Sequence, residues 1–122
     1  MADRVATMRV READSKCAVI EIAGDVTSAC DAQLEAAHQT ASDLGAQGIV
    51  LDFSGLEYMN SGGIGMLVTL LVRTQRQNQR LAAVGLSEHY QQIFELTRID
   101  EAIVLYADEA SALSALAVGG AA

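Results

Sequence analysis

The mid-chain run Ile49-Val50-Leu51-Asp52-Phe53 is apolar on both faces that a strand presents, a pattern suited to a strand covered by helices on each side. Such a strand calls for crossover helices before and after it, and the flanking sequence supplies them. Asp31 to Leu44 places Leu34, Ala37, Ala41 and Leu44 at helical spacing and closes at Gly45. From Ser61 onward, Ile64, Leu67, Val68, Leu71 and Val72 recur at i, i+3, i+4, i+7 and i+8. The chain then turns polar and basic at Arg73-Thr74-Gln75-Arg76-Gln77, so the spacing predicts a long helix that buries those five apolar residues and ends in charges suited to its dipole.

The outer segments complete the pattern. Val5 to Arg11 alternates between Ala6, Met8, Val10 and Val5, Thr7, Arg9, Arg11, which predicts an edge strand with one wet face. Cys17 to Ile22, ending at Gly24, reads as an interior strand joined to the first by a loop of about five residues. Leu81–Val84 is a further short strand, and Ser87 caps a helix carrying Tyr90, Ile93, Phe94 and Thr97. Ile103–Tyr106 is the last strand and Asp108–Val118 the last helix. The order ββαβαβαβα defines an α/β sandwich: a mixed, mostly parallel sheet of four to five strands with about four helices and a hairpin strand at one edge. Residues 1–118 are expected to form a single domain, and 119–122 a flexible C-terminal tail.

With 122 residues there is room for one core. Eight Lys and Arg against 16 Asp and Glu give 8 − 16 = −8, a charge that repels phosphate backbones and anionic lipid, so nucleic acid is not expected as a partner. Apolar runs fall far short of the ~18 residues of a spanning helix and no basic-then-apolar leader opens the chain, so a cytosolic location without direct membrane insertion is expected. Cys17 and Cys30 are expected to be free, structural thiols. His38 and His89 lack partners at metal-ligand spacing and read as packing or surface residues, so no metal or cofactor is expected.

Gly62-Gly63-Ile64-Gly65 suggests a phosphate loop, but Met66 and Leu67 follow where a Walker loop has Lys and Ser or Thr, and Val68 breaks the dinucleotide pattern. Ser61 does not lie in Gly-x-Ser-x-Gly, and a Ser-His-Asp triad has no local support, so an enzyme lacks its expected constellation. Asp52 reads equally as a carboxylate fixing a loop and as a neighbour of a site. What stands out is that the stretch Leu51 to Gly65 delivers Ser61 to the start of a helix, where unpaired N–H groups and the dipole accommodate a phosphoryl group. The plainer role for Asn60 or Ser61 is an N-cap, worth ~1 kcal/mol.

Asp52-Phe53-Ser54 followed by Tyr58-Met59-Asn60-Ser61-Gly62-Gly63-Ile64-Gly65 resembles the signature of the STAS domain, and most closely that of the stand-alone anti-sigma-factor antagonists of bacteria. Nearly the whole chain fits that family's element order. The resemblance implies that Ser61 is the phosphoacceptor of an anti-sigma factor that is itself a serine kinase and binds the ATP. The unmodified antagonist would sequester that kinase and free sigma, and a phosphatase would reset Ser61. It further implies a partner-binding surface of Asp25, Thr27, Tyr58, Met59, Asn60, Ser61, Gly62, Gly63 and Ile64; a weak homodimer stays open. Three positions depart from the family pattern. Asn60 stands where Asp is usual, Gly62 where a second hydroxyl is common, and Thr27, in Gly24-Asp25-Val26-Thr27, where the family has a partner-contacting Asp. A second reading of the same resemblance is a constitutive accessory or scaffold subunit of a transport, lipid-trafficking or stress-sensing complex, in which Ser61 is never modified.

Overall fold

In the computed structural model, which describes residues 5–14 and 16–120, the alternating opening segment forms β1 (Thr7–Ala13), paired antiparallel with β2 (Cys17–Val26). There follow a 3₁₀ turn (Ser28–Cys30), α1 (Asp31–Asp43), β3 (Gly48–Met59), α2 (Ser61–Arg76), β4 (Arg80–Val84), α3 (Glu88–Leu96), a second 3₁₀ turn (Ile99–Glu101), β5 (Val104–Leu105) and α4 (Glu109–Gly120). The strands lie in the order β1-β2-β3-β4-β5, parallel except for β1, so the predicted mixed sheet with a hairpin strand at its edge is the observed one. β3 is central, and Ile49, Val50, Leu51 and Phe53 are all buried.

The alternation of side chains along the inner strands divides them between two covers. Ala18, Ile20 and Ile22 of β2, Ile49, Leu51 and Phe53 of β3, and Leu81 and Ala83 of β4 form the main core with Leu34 and Ala41 of α1, Met66, Leu67 and Leu70 of α2, and Phe94 of α3. Phe53 and Phe94 meet edge to face at 6.3 Å. Cys17, Val19, Val50, Ala82 and Val84 form a second cluster with Ala112 and Leu116 of α4.

Several elements differ from expectation. Val68 and Val72 are exposed, and the buried side of α2 is Gly63, Met66, Leu67, Leu70 and Thr74, with Ile64 and Leu71 half-buried. Thr74 tolerates full burial because its hydroxyl donates to the Leu71 carbonyl at 2.8 Å. Leu44 is likewise exposed, at the C-cap of α1, and His38 takes the inward position instead. The His38 ring fits there because Nε2 lies 2.7 Å from Gln79 Oε1, while Gln79 Nε2 donates to the Ala46 carbonyl and to Ser42 Oγ. β2 and β3 run past Gly24 and Phe53 to Val26 and Met59, with register shifts between them that let both strands extend. β5 shrinks to two residues, and only residues 14–16 separate β1 from β2. Gly119 and Gly120, expected in the tail, continue α4, and residues 121–122 lie outside the described residues. Both cysteines are buried as thiols outside any disulfide among the described residues, and burial pushes the Cys17 thiol up.

Candidate functional site

The ends of β2 and β3 and the start of α2 meet at one point. Asp52 Oδ1 accepts from the Ser54 N–H at 2.9 Å and from the Ser54 hydroxyl at 2.7 Å, so this carboxylate fixes a local bend in β3. Beyond it, Asp25 pairs with Tyr58 and Val26 with Met59 across the two parallel strands. The Met59 N–H donates to the Tyr90 hydroxyl of α3 at 2.9 Å, and the Asn60 N–H donates to the Val26 carbonyl at 3.3 Å. These bonds pin the chain just before the helix begins.

Asn60 is the N-cap of α2. Its backbone is extended, and its Oδ1 accepts from the Gly63 N–H at 3.0 Å, satisfying one of the helix's free donors. Ser61 is therefore the first helical residue, exposed to solvent, with a hydroxyl that none of the hydrogen bonds among the described residues uses. An incoming phosphoryl group at Ser61 would meet the positive end of a 16-residue helix.

The crowding around the motif separates its glycines. A Cβ at Gly63 would lie 2.6 Å from the Val26 carbonyl oxygen and 2.8 Å from Met59 Cγ, so the first turn of α2 sits directly on the strand ends. At Gly62 a Cβ would lie 3.0 Å from Ser28 Cβ and 3.1 Å from its backbone nitrogen, tighter than ordinary contact. The 3₁₀ turn thus occupies the room that a second motif side chain would take. Gly65 has nothing within 4 Å of the same position.

All nine positions of the expected partner surface converge here, but they do not all face outward. Tyr58 is 48% exposed, Ser61 is exposed, and Asp25, Thr27, Asn60, Gly62 and Ile64 are half-buried. Met59 and Gly63 are buried, so they shape the surface from beneath. Thr27 caps the 3₁₀ turn, its hydroxyl accepting from the Ala29 N–H at 3.2 Å. Beside these residues runs a groove of about 440 Å³ bordered by Asp25, Thr27, Cys30, Gln33 and Tyr58. The Cys30 thiol donates to the Asp25 carbonyl at 3.7 Å. Sequence reasoning did not find Ser28 or Tyr90 as parts of this site. Ser28 follows Thr27 directly but meets Gly62 only through the packing of the 3₁₀ turn, Tyr90 reaches in from α3, and neither carries a local spacing signal. Among the described residues, no three His, Cys, Asp or Glu side chains cluster as a metal site, and no helix is long and apolar enough to cross a membrane.

The strand ends that carry this site belong to a five-stranded mixed sheet covered by helices, and comparison with known proteins gives the family of that fold. The family model described as Mlab, STAS domain matches residues 9–106, and the chain belongs to the STAS domain family. Among solved structures it is similar to an anti-sigma factor antagonist from Mycobacterium paratuberculosis, at 21% identity and TM-score 0.77 over 92% of this chain and 94% of that one. It is similar to the phosphorylated form of the Bacillus cell fate determinant SpoIIAA at 18% identity and TM-score 0.66, covering 86% and 96% of the two chains. An anti-sigma-factor antagonist (STAS) domain protein from Planctomyces limnophilus aligns at 24% identity and TM-score 0.65, over 92% and 98%. At these identities the structural likeness establishes the shared fold.

Proposed function

We propose that this protein is a phosphorylation-switched antagonist of an anti-sigma factor, acting by binding and not by catalysis. The observation that carries the reading is Ser61: an exposed hydroxyl outside the internal hydrogen bonds, fixed at the first turn of α2 by an N-cap other than itself. Because Asn60 does the capping, Ser61 can be modified without unmaking the helix start. Two of the similar structures are antagonists by description, and a third, the cell fate determinant SpoIIAA, is described in a phosphorylated form, which supports the same reading.

In this reading the unmodified surface around Tyr58 and Ser61 holds an anti-sigma serine kinase, which supplies the ATP. Transfer of the γ-phosphoryl group to Ser61 Oγ, with loss of the hydroxyl proton and release of ADP, adds about −1.5 to −2 charge to the docking face. On a face that packs against the kinase, that charge must be stripped of water with no added cation to repay it, and the complex weakens. The complex dissociates without a large change of shape, and a phosphatase restores the binding form.

The test is a pull-down from native-host lysate with wild type, Ser61→Ala and Ser61→Asp in parallel, with retained proteins identified by mass spectrometry. Wild type and Ser61→Ala are expected to retain an ATP-binding anti-sigma kinase and Ser61→Asp to lose it. Equal retention by all three variants would sink the switch, and equal retention of transporter components would favour a constitutive accessory subunit instead.

A further inference from the structure

β4 accompanies β3 only from the Gly48–Arg80 pair to the Asp52–Val84 pair, after which the chain turns at Gly85 and enters α3. Residues 53–59 of β3 therefore run on with β2 as their strand neighbour, through register shifts, while their other edge has no strand to join among the described residues. Backbone groups on such an edge need another partner if the strand end is to hold one place. This is the strand end that delivers Ser61.

The partner comes from α3. The Met59 N–H donates to the Tyr90 hydroxyl at 2.9 Å. Tyr90 is itself well fixed: it stands in the first turn of α3, its N–H donating to the capping Ser87 hydroxyl, and its half-buried ring packs against the main core. From Met59 the constraint passes to α2 by contact. Met59 is buried, and its Cγ lies 2.8 Å from where a Cβ at Gly63 would be, so the first turn of the helix rests on this side chain. Asn60, next in the chain, holds the Gly63 N–H at 3.0 Å. Ser61 lies between these two fixed points, and its own hydroxyl makes no bond that would place it among the described residues.

We infer that Tyr90 is a positioning residue for phosphoryl transfer to Ser61. Its hydroxyl fixes Met59, Met59 and Asn60 fix the first turn of α2, and that turn fixes the attacking oxygen. The inference rests on the function proposed above and assigns part of it to a residue of α3, outside both the contiguous motif and the docking surface. Phosphoryl transfer is sensitive to such placement, because its catalysis consists mainly of holding the attacking oxygen in line, and a shift of about 1 Å lowers the rate by about a hundredfold.

Tyr90→Phe keeps the ring and removes the acceptor. Leu116→Ala, in the cluster on the opposite face of the sheet, serves as a destabilised control. Amide hydrogen exchange by NMR on the chain alone is the first measurement. Tyr90→Phe is expected to speed exchange at Met59, Asn60 and Gly63 about tenfold more than at Leu67 and Leu70, and Leu116→Ala to show no such local gain. The second is the rate of Ser61 phosphorylation by the kinase retained in the pull-down, with ATP, at a temperature where every variant is folded. Tyr90→Phe is expected to lower kcat about tenfold with KM within about threefold of wild type, and Leu116→Ala to keep both. Faster exchange at Met59 alone, or a wild-type kcat in Tyr90→Phe, would overturn the inference and leave the switch standing. An equal fall of kcat in Leu116→Ala would reduce the effect to general stability and overturn it too. A wild type that no retained kinase phosphorylates would overturn the switch and the role given to Tyr90 together, while the exchange rates would still show whether the helix start depends on its hydroxyl.

Discussion

At Gly63 the absent side chain matters more than any present one in the motif. With the Val26 carbonyl oxygen 2.6 Å and Met59 Cγ 2.8 Å from where a Cβ would be, only glycine lets α2 begin directly on the strand ends. Gly63→Val is expected to destabilise the protein by about 3 kcal/mol or more, read as a lowered urea midpoint at unchanged slope; an unaltered midpoint would mean that helix and strands can separate at no expense. The motif itself was legible in the sequence, because its residues are contiguous and the helical rhythm starts at Ser61, although β3 was expected to end at Phe53 and runs on to Met59. Its neighbours were not. Ser28 against Gly62 and the Tyr90 hydroxyl on the Met59 N–H are contacts between elements, set by how the 3₁₀ turn and α3 pack, and no local spacing announces them. The departure at Asn60 also has a physical reading: the amide keeps the capping bond that a carboxylate would make, without adding charge next to Ser61.

Helix α2 shows where periodicity stops being decisive. Ile64, Leu67, Val68, Leu71 and Val72 form one apolar stripe, while Gly63, Met66, Leu67 and Leu70 form another, rotated by about one residue, so the apolar arc is too wide to name its own buried side. The contact at Gly63 settles the rotation by turning that edge of the first turn onto β2, and Thr74 follows it inward with its hydroxyl bonded inside the helix. Leu70→Ala is therefore expected to cost ~2–5 kcal/mol and Val72→Ala under about 1 kcal/mol by chemical denaturation. The reverse ranking would restore the stripe expected from sequence. The same ambiguity explains Leu44 and His38 in α1: hydrophobicity favoured the leucine, but Gln79 offers the His38 ring a buried partner, and the C-cap position carries Leu44 outward.

At the scale of the whole molecule the two faces of the sheet are unequally covered, and this sets what the domain minimally contains. α1, α2 and α3 share the face of the main core, whereas Cys17, Val19, Val50, Ala82 and Val84 are closed over by Ala112 and Leu116 of α4. The family match ends at residue 106, before this helix begins. Three attachments nevertheless bind α4 to the sheet: the apolar cluster, an ion pair from Arg11 of β1 to Glu109, and an Arg80 guanidinium donating to the Leu116 carbonyl at 3.3 Å. Asp108 caps its start, accepting from the Ser111 N–H at 2.8 Å, and that bond holds the carboxyl below the usual range. Without α4, the apolar residues of three neighbouring strands would face water, an exposed patch that favours association over a stable monomer. A chain ending at Ala107 is accordingly expected to lose its cooperative thermal transition by circular dichroism and to elute as aggregates in size-exclusion chromatography. Ser61→Asp, altering only the opposite end of the scaffold's helical face, is expected to melt within about 0.5 kcal/mol of wild type. A truncated chain that melts like the full one would show instead that the main core alone sustains the fold, and that α4 serves only to cover a face the domain can leave bare.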